Sequence, residues 1–275
     1  MSIELVLLGT GNPLPDKDRA GAATLVRAGG RTILVDAGRG VCMRMVAAGA
    51  LPLMLSDILL THLHSDHICD LNDVVTTQWV MSPVQSTLRI FGPPRTNEVI
   101  AGMRAMLQPD VEYRLAHHDD LNWEPTLDVR EVEPGVVFDE GGVRVVAART
   151  DHRPVEPTVG FRIEHEGYAV VLAGDTVPCD GLDELCRDAD VYVQTVLRDD
   201  LVNQVPMQRF KDTVDYHSTL VQSAQTAKRT GVKKLVLTHQ IPTPGPGAAD
   251  EWLAIAREHF DGEIIFGEDL LTVTT

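Results

Sequence analysis

The sequence predicts an α+β protein built on two β-sheets enclosed by helices. Three observations carry that expectation. Short runs rich in Val, Ile and Leu recur along the whole chain, helical patterns fall between several of them, and no 20–50-residue repeat or low-complexity segment interrupts the series. With 275 residues the chain can bury a large core. No long linker divides it, so residues 1–275 read as a single domain.

In chain order the β-type runs are IELVLLG (3–9), RTILVDAG (31–38), DILLTH (57–62), TLRIFG (87–92), VRVVAART (143–150), VGFRIEH (159–165), AVVLAGDT (169–176), VYVQTVL (191–197), KLVLTH (234–239) and EIIFGEDLLTVT (263–274). Several run into Gly, Asp, His or Thr, residues that close strands and carry chemistry in loops. Helical patterns occupy GRGVCMRMVAAGA (38–50), TNEVIAGMRAML (96–107), STLVQSAQTAKRTG (218–231) and AADEWLAIAREHF (248–260). The third has a capping box, Thr219 with Gln222, and a closing Gly231. Pro109 to Pro134, containing AHHDDLNWEP, reads as loop plus irregular structure, and TPGPG (243–247) is too rich in Pro and Gly for helix or strand.

An apolar fraction of 44% and a charged fraction of 23% describe an ordinary globular protein. No run of about 18 apolar residues exists, and the opening MSIELVLLGTG has no basic segment, so neither a membrane span nor a signal peptide is expected and the expected compartment is cytoplasmic. Cys42, Cys69, Cys179 and Cys186 form no CxxC pair and read as reduced core or surface residues. The formal charge of -16 repels phosphate backbones. An anionic substrate therefore needs a local positive charge, which a bound divalent metal can supply.

The stretch THLHSDH (61–67) follows the apolar run Ile58-Leu59-Leu60 directly. In an extended segment His62 and His64 project to the same side, as converging metal ligands require. Asp66 and His67 follow where a turn can aim them at a second point about 3.5 Å away, the separation found in two-metal sites. Further donors stand at three strand ends: His152 after ARTD, Asp175 in AGDT and His239 in LTH. A lone His after a strand is commonly a loop residue, and GDT is a common turn; the ordered set is far more specific than its members.

This HxHxDH, His, Asp, His series resembles the metallo-β-lactamase fold superfamily, and the resemblance covers nearly the whole chain. It implies a four-layer αββα sandwich with metals at one edge of the two packed sheets. It implies two divalent metal ions, zinc in the first instance, with Mn or Fe also compatible with N and O ligands. His62, His64 and His152 would bind one, Asp66, His67 and His239 the other, and Asp175 would bridge them. VDAG resembles the first motif of that family, which makes Asp36 the residue orienting the ligand loop.

Three features resemble the ribonuclease Z and arylsulfatase-like branch: LGTGNPLPDKDRAGAATLV at the start, a His rather than a Cys in LTH, and DYHSTLVQSAQTAKRTGVKKLVLTH, which makes His217 the proton donor to the leaving group. Two features depart from it. Only a short EGY turn stands where tRNA-processing enzymes commonly insert a long arm, and Gln194 in VQTVLRDD stands where a Glu would support the proton donor. With the acidic charge, these departures disfavour nucleic acid as partner and favour a small or medium ester.

The expected function is hydrolysis by a hydroxide bridging two metals, as a ribonuclease Z-like phosphodiesterase without the tRNA-binding arm, with Asp66 also holding the proton of the bridging water. A second reading is a hydrolase of carboxylic esters, lactones or aryl sulfates; a third is a non-catalytic metal-binding protein. Residues 68–84 are expected to line the cleft with Trp79 and Met81, and Met207, Phe210 and Tyr216 to wall it. Arg198 and Arg209 are the nearest candidates for an anion clamp. Relatives in this branch are often homodimers, which makes a homodimer a candidate assembly, but no residue pattern in the chain determines the oligomeric state.

Overall fold

In the computed structural model, which describes residues 2–275, the apolar runs become strands buried on both faces. They are β1 (Glu4–Gly9), β2 (Ala23–Ala28), β3 (Arg31–Val35), β4 (Asp57–Leu59), β5 (Thr87–Gly92), β6 (Thr126–Glu131), β7 (Gly135–Glu140), β8 (Val143–His152), β9 (Val155–His165), β10 (Tyr168–Leu172), β11 (Val191–Leu197), β12 (Lys234–Ile241), β13 (Glu263–Phe266) and β14 (Thr272–Thr274). One sheet has the order β14-β1-β2-β3-β4-β5-β6 and the other β13-β12-β11-β10-β9-β8-β7. In the first, β3 to β6 run parallel; in the second, β10 to β13 do.

Strand alternation sorts the apolar residues into three cores. Leu5 and Leu7 face the other sheet and join Val145, Phe161, Ile163, Val193 and Val236. Their neighbours Val6 and Leu8 face outward, beneath α1 (Val41–Ala47), α3 (Leu71–Met81) and α4 (Thr96–His117), through Met45, Val74, Val75, Ile100 and Met103. The short α2 (Ser65–Ile68) lies between α1 and α3 in sequence. Behind the second sheet, Val171, Tyr192, Leu235 and Leu237 pack on Leu182 and Leu185 of α5 (Asp180–Cys186). They also pack on Leu220 and Ala224 of α8 (Leu220–Thr230) and Trp252 of α9 (Ala249–Arg257), while α6 (Asp199–Val202) and α7 (Gln208–Lys211) stand apart near the cleft. The result is helix, sheet, sheet, helix. Burial on both faces is why so many strands read as continuous apolar runs.

Three expectations are corrected. The stretch from Pro109 to Pro134 is not mainly irregular: α4 continues through Pro109 to His117, and residues 126–131 form β6 beside β5. Proline removes one helical hydrogen bond, but Val111 and Leu115 beyond it pack on Trp79, Leu121 and Trp123, which holds the later turns in place. The run 263–274 is two strands in two sheets; it breaks at Gly267, so the C-terminal segment fastens β12 in one sheet to β1 in the other. Trp79 does not line the cleft. It is buried in α3, and its indole N–H donates to the Trp123 carbonyl at 2.8 Å. No helix among the described residues is long and apolar enough to cross a membrane.

A buried charge cluster fixes the end of the sandwich away from the strand termini that carry the donors. Asp57 of β4 is fully buried and accepts from Arg31 at 2.9 Å and from Arg89 at 2.6 Å, on the strands either side. Both arginines continue to Glu140 of the second sheet at 2.8 and 2.9 Å. Asp57→Ala would leave two half-buried guanidinium groups facing a gap, a change expected to cost about 3–5 kcal/mol. Glu140→Ala removes a half-exposed carboxylate and is expected to cost far less. Urea unfolding of the two variants measures the contrast.

Candidate metal centre

Parallel strands deliver their C-terminal ends to one edge, and the loops leaving those ends carry the donors. After β4 the chain passes Thr61 and His62, and His64 stands at the N-cap of α2, which brings Asp66 and His67 round. Asp36, at the end of β3, gathers this segment. Its carboxylate accepts from the Thr61 amide at 2.8 Å, the Thr61 hydroxyl at 2.8 Å and His67 Nδ1 at 2.8 Å. Asp36 has a φ of 60°, a left-handed conformation that Asp tolerates better than most residues.

Asp175 follows β10, behind Gly174. That glycine has a φ of +65°, and a Cβ there would stand 2.7 Å from Thr61 Cβ, so only glycine lets the two loops meet. His152 ends β8. His239 lies in β12 at a φ of 46°, strain that buried Gln240 supports by donating to the carbonyls of Leu237 and Gly267 at 3.0 and 2.9 Å. Arg19 in turn donates to Gln240 Oε1 at 2.9 Å.

The donors fall into two adjacent groups, His62, His64, His152 and Asp175, and Asp66, His67 and His239. In the first, His64 Nδ1 is 3.1 Å from His62 Nε2 and 3.2 Å from His152 Nε2. In the second, Asp66 Oδ2 is 3.0 Å from His239 Nε2 and 3.7 Å from His67 Nε2. Asp175 Oδ2 lies between them, 3.9 Å from His62 and His152 Nε2, 3.5 Å from His67 Nε2 and 3.8 Å from His239 Nε2. Ligands bound at about 2.1 Å in tetrahedral array stand roughly 3.4 Å apart, so these gaps fit metal ions. A second sign of fit is His67 Nε2, buried without a hydrogen-bond partner among the described residues although Asp36 holds the other ring nitrogen.

The electrostatics divide the two groups: against the effect of burial, Asp175 raises His67 well above the usual imidazole range and raises His239, so a metal there must displace their protons. Burial lowers His62 well below the usual imidazole range, lowers His64, and brings His152 to about 4, against the pull of Asp175 in each case. These rings are therefore neutral with lone pairs free, the form that binds metal. Burial opposes ionisation of Asp66 and Asp175, but histidines overcome it. Asp66 falls to about 2 through the hydrogen bond from His239 and the charge of His67; Asp175 falls well below the carboxylate range through His239 and His67 and the hydrogen bond from His217.

Asp175 also receives the Thr195 hydroxyl on Oδ1 at 2.6 Å and faces His217 Nε2 from Oδ2 at 3.1 Å. His217 Nδ1 donates to the Thr213 carbonyl at 2.9 Å, and His152 Nδ1 to the Tyr216 carbonyl at 2.8 Å. Beside the centre opens a cleft of about 660 Å³, lined mainly by apolar groups including Leu14, Phe210 and Tyr216, with His217, Asp66 and Arg209 also in its wall.

All seven expected donors, Asp36 and His217 thus meet at one sheet edge, and Phe210, Tyr216 and Arg209 line the cleft. Met81 and Met207 are not in its lining. Gln194 is not beside His217: strand alternation turns it away, onto the Tyr192 hydroxyl and the Thr195 carbonyl, and Thr195 faces Asp175 instead. Arg198 is buried and engaged with Asp200 at 2.6 Å and Glu251 at 2.8 Å, which removes it as an anion clamp. Sequence reasoning missed Thr195, although alternation from Gln194 pointed to it, and missed Pro13 and Leu14 as cleft wall.

Residues 31–240 match the family described as Beta-lactamase superfamily domain. A ribonuclease Z of Mycolicibacterium gilvum (strain PYR-GCK) is 54% identical over 270 residues, 98% of this chain and 94% of the relative. The chain belongs to the ribonuclease Z family of this superfamily. A ribonuclease Z of Mycobacterium avium (strain 104) is 52% identical, covering 98% of this chain and 96% of its own. Among solved structures, the short form of human tRNase Z superposes with a TM-score of 0.71 at 25% identity, covering 98% of both chains. The metallo-beta-lactamase fold protein YhfI of Bacillus subtilis reaches 0.77 at 21% identity over 100% of this chain and 99% of its own, a likeness of fold. This ribonuclease Z family member is a metal-dependent hydrolase with the donor set for divalent cations.

A cation bound only by the folded chain stabilises it by mass action, about 2.7 kcal/mol at a hundred times its dissociation constant. Zinc or manganese added to chelator-stripped protein is expected to raise Tm by about 5 °C or more. Asp36→Ala, which frees the His67 ring, is expected to weaken metal binding about 10–100-fold. Thermal melts across a metal titration check both.

Proposed function

We propose that this protein hydrolyses phosphodiester bonds of RNA, as a ribonuclease Z-like phosphodiesterase working with two zinc ions. His62, His64 and His152 would hold one ion, Asp66, His67 and His239 the other, and Asp175 both. The observation that carries the reading is the placement of His217 Nε2 3.1 Å from Asp175 Oδ2, the oxygen standing between the two donor groups. Relatives named ribonuclease Z, matching 98% of the chain at 52–54% identity, favour RNA over the alternative esters.

Divalent metals in such a site supply Lewis acidity and bring the pKa of a water near 7. The chain's own groups handle the protons. Asp66, held ionised, takes or holds the proton of the attacking water. Thr195 fixes Asp175 by its hydroxyl. His217, with Nδ1 committed to the Thr213 carbonyl, presents Nε2 to the centre and from there protonates the departing oxygen. RNA replaces the small ester as substrate, but the charge of -16 and the two-residue turn at Glu166-Gly167 still weigh against extensive contact with an RNA body.

With zinc or manganese the protein is expected to hydrolyse bis(p-nitrophenyl) phosphate and to cleave RNA. His217→Ala should lower kcat on RNA, whose leaving group is an alkoxide, by about 10²–10⁴. The loss on p-nitrophenyl esters should be much smaller, because that leaving group needs no proton. Hydrolysis of a carboxylic ester, lactone or aryl sulfate without any phosphodiesterase activity would favour the second reading instead.

A further inference from the structure

The cleft beside the centre has a chemistry that metal-assisted hydrolysis alone does not require. Its lining is mainly apolar, from Pro13 and Leu14 in the loop after β1 and from Phe210 and Tyr216 in the segment 207–217. Leu14 is 52% exposed, so its side chain is open to a molecule entering the cleft. Arg209 stands in the same wall, and among the described residues it has no carboxylate within ion-pair distance. Most other cations of the protein are already paired with acids, including Arg27, Arg31, Arg89, Arg130, Arg162 and Arg229.

A protein of charge -16 with its cations so engaged has little with which to follow a polyphosphate backbone. Affinity for RNA must then come from a short stretch near the bond that breaks. The volume of about 660 Å³ lies in the range of small-ligand sites, about 300–1,000 Å³, and suits one or two nucleosides rather than a folded RNA. A base has flat apolar faces, and aromatic side chains bind single-stranded bases by stacking with little regard to sequence.

We infer that this cleft is a nucleobase subsite, in which Phe210, backed by Leu14 and Tyr216, receives an unstacked base flanking the scissile phosphate while Arg209 meets a phosphate oxygen. The inference rests on the phosphodiesterase reading and adds the specificity-determining residues. It also explains why the wall lies where it does. Segment 207–217 presents Phe210 to the substrate while its Thr213 carbonyl holds His217 Nδ1, so a base seated on Phe210 is registered against the proton donor.

The test compares ligands with and without a base. Uridine 5′-monophosphate and ribose 5-phosphate are titrated into zinc-loaded protein by calorimetry. In parallel, kcat/KM is measured on the p-nitrophenyl ester of thymidine 5′-monophosphate and on methyl p-nitrophenyl phosphate, which share a leaving group. Stacking predicts at least a ~5-fold preference for the base-bearing member of each pair. In Phe210→Ala both preferences should fall towards one, and in Phe210→Trp they should persist, with unchanged circular dichroism showing that the variants fold. A log Kd against log salt slope near one or two is expected for uridine monophosphate. Equal binding and equal kcat/KM within each pair, or preferences that survive Phe210→Ala, would overturn the subsite. Hydrolysis of neither ester would instead remove the phosphodiesterase reading beneath it.

Discussion

Oδ2 of Asp175 lies 3.1–3.9 Å from nitrogens of five histidines, His217, His67, His239, His62 and His152, in a fully buried setting. A carboxylate in that position is tolerable only because the surrounding imidazoles and the Thr195 hydroxyl offset the loss of water. In return, nearly every element of the edge is registered against one atom. The loop after β4, the end of β8, the end of β12 and the start of α8 all meet there. Gly174 makes the meeting feasible by letting the Asp175 loop approach Thr61 without a Cβ between them.

The sandwich exists to hold those ends still. β4, β11 and β12 are parallel to a neighbour on each side and buried between layers, so their C-terminal ends are fixed from both flanks. Asp36 then converts the rigidity of β3 into ring orientation, and the carbonyls of Thr213 and Tyr216 do the same for His217 and His152. Each ring that faces the centre through Nε2 from these supports has its other nitrogen committed elsewhere, which determines the tautomer it presents. The segment that walls the cleft is thus also the segment that sets two of the rings.

Much of this was legible in the sequence. Donors at strand ends are visible because an apolar run fixes the strand: i, i+2 spacing puts His62 and His64 on one side, while His152, Asp175 and His239 stood out only as an ordered set that resembles a known family. The capping box Thr219 with Gln222 was equally local, and both of its hydrogen bonds form. Where the reading failed, the determinant was nonlocal. Pro109 speaks for a helix end, but packing of Val111 and Leu115 against Trp79 and Trp123 outweighs one missing hydrogen bond. The supports of His152 and His217 are backbone carbonyls, which no residue identity reveals. Strands β2, β6 and β7 were also not marked as β-type runs; β6 and β7 lie at sheet edges, and β7 is mostly exposed.

Metal stoichiometry discriminates most directly. The protein, reconstituted with zinc and freed of excess, should carry two ions per chain by elemental analysis, and Asp175→Asn should carry clearly fewer while remaining folded. Fewer than about one ion per wild-type chain would contradict the centre described around Asp175.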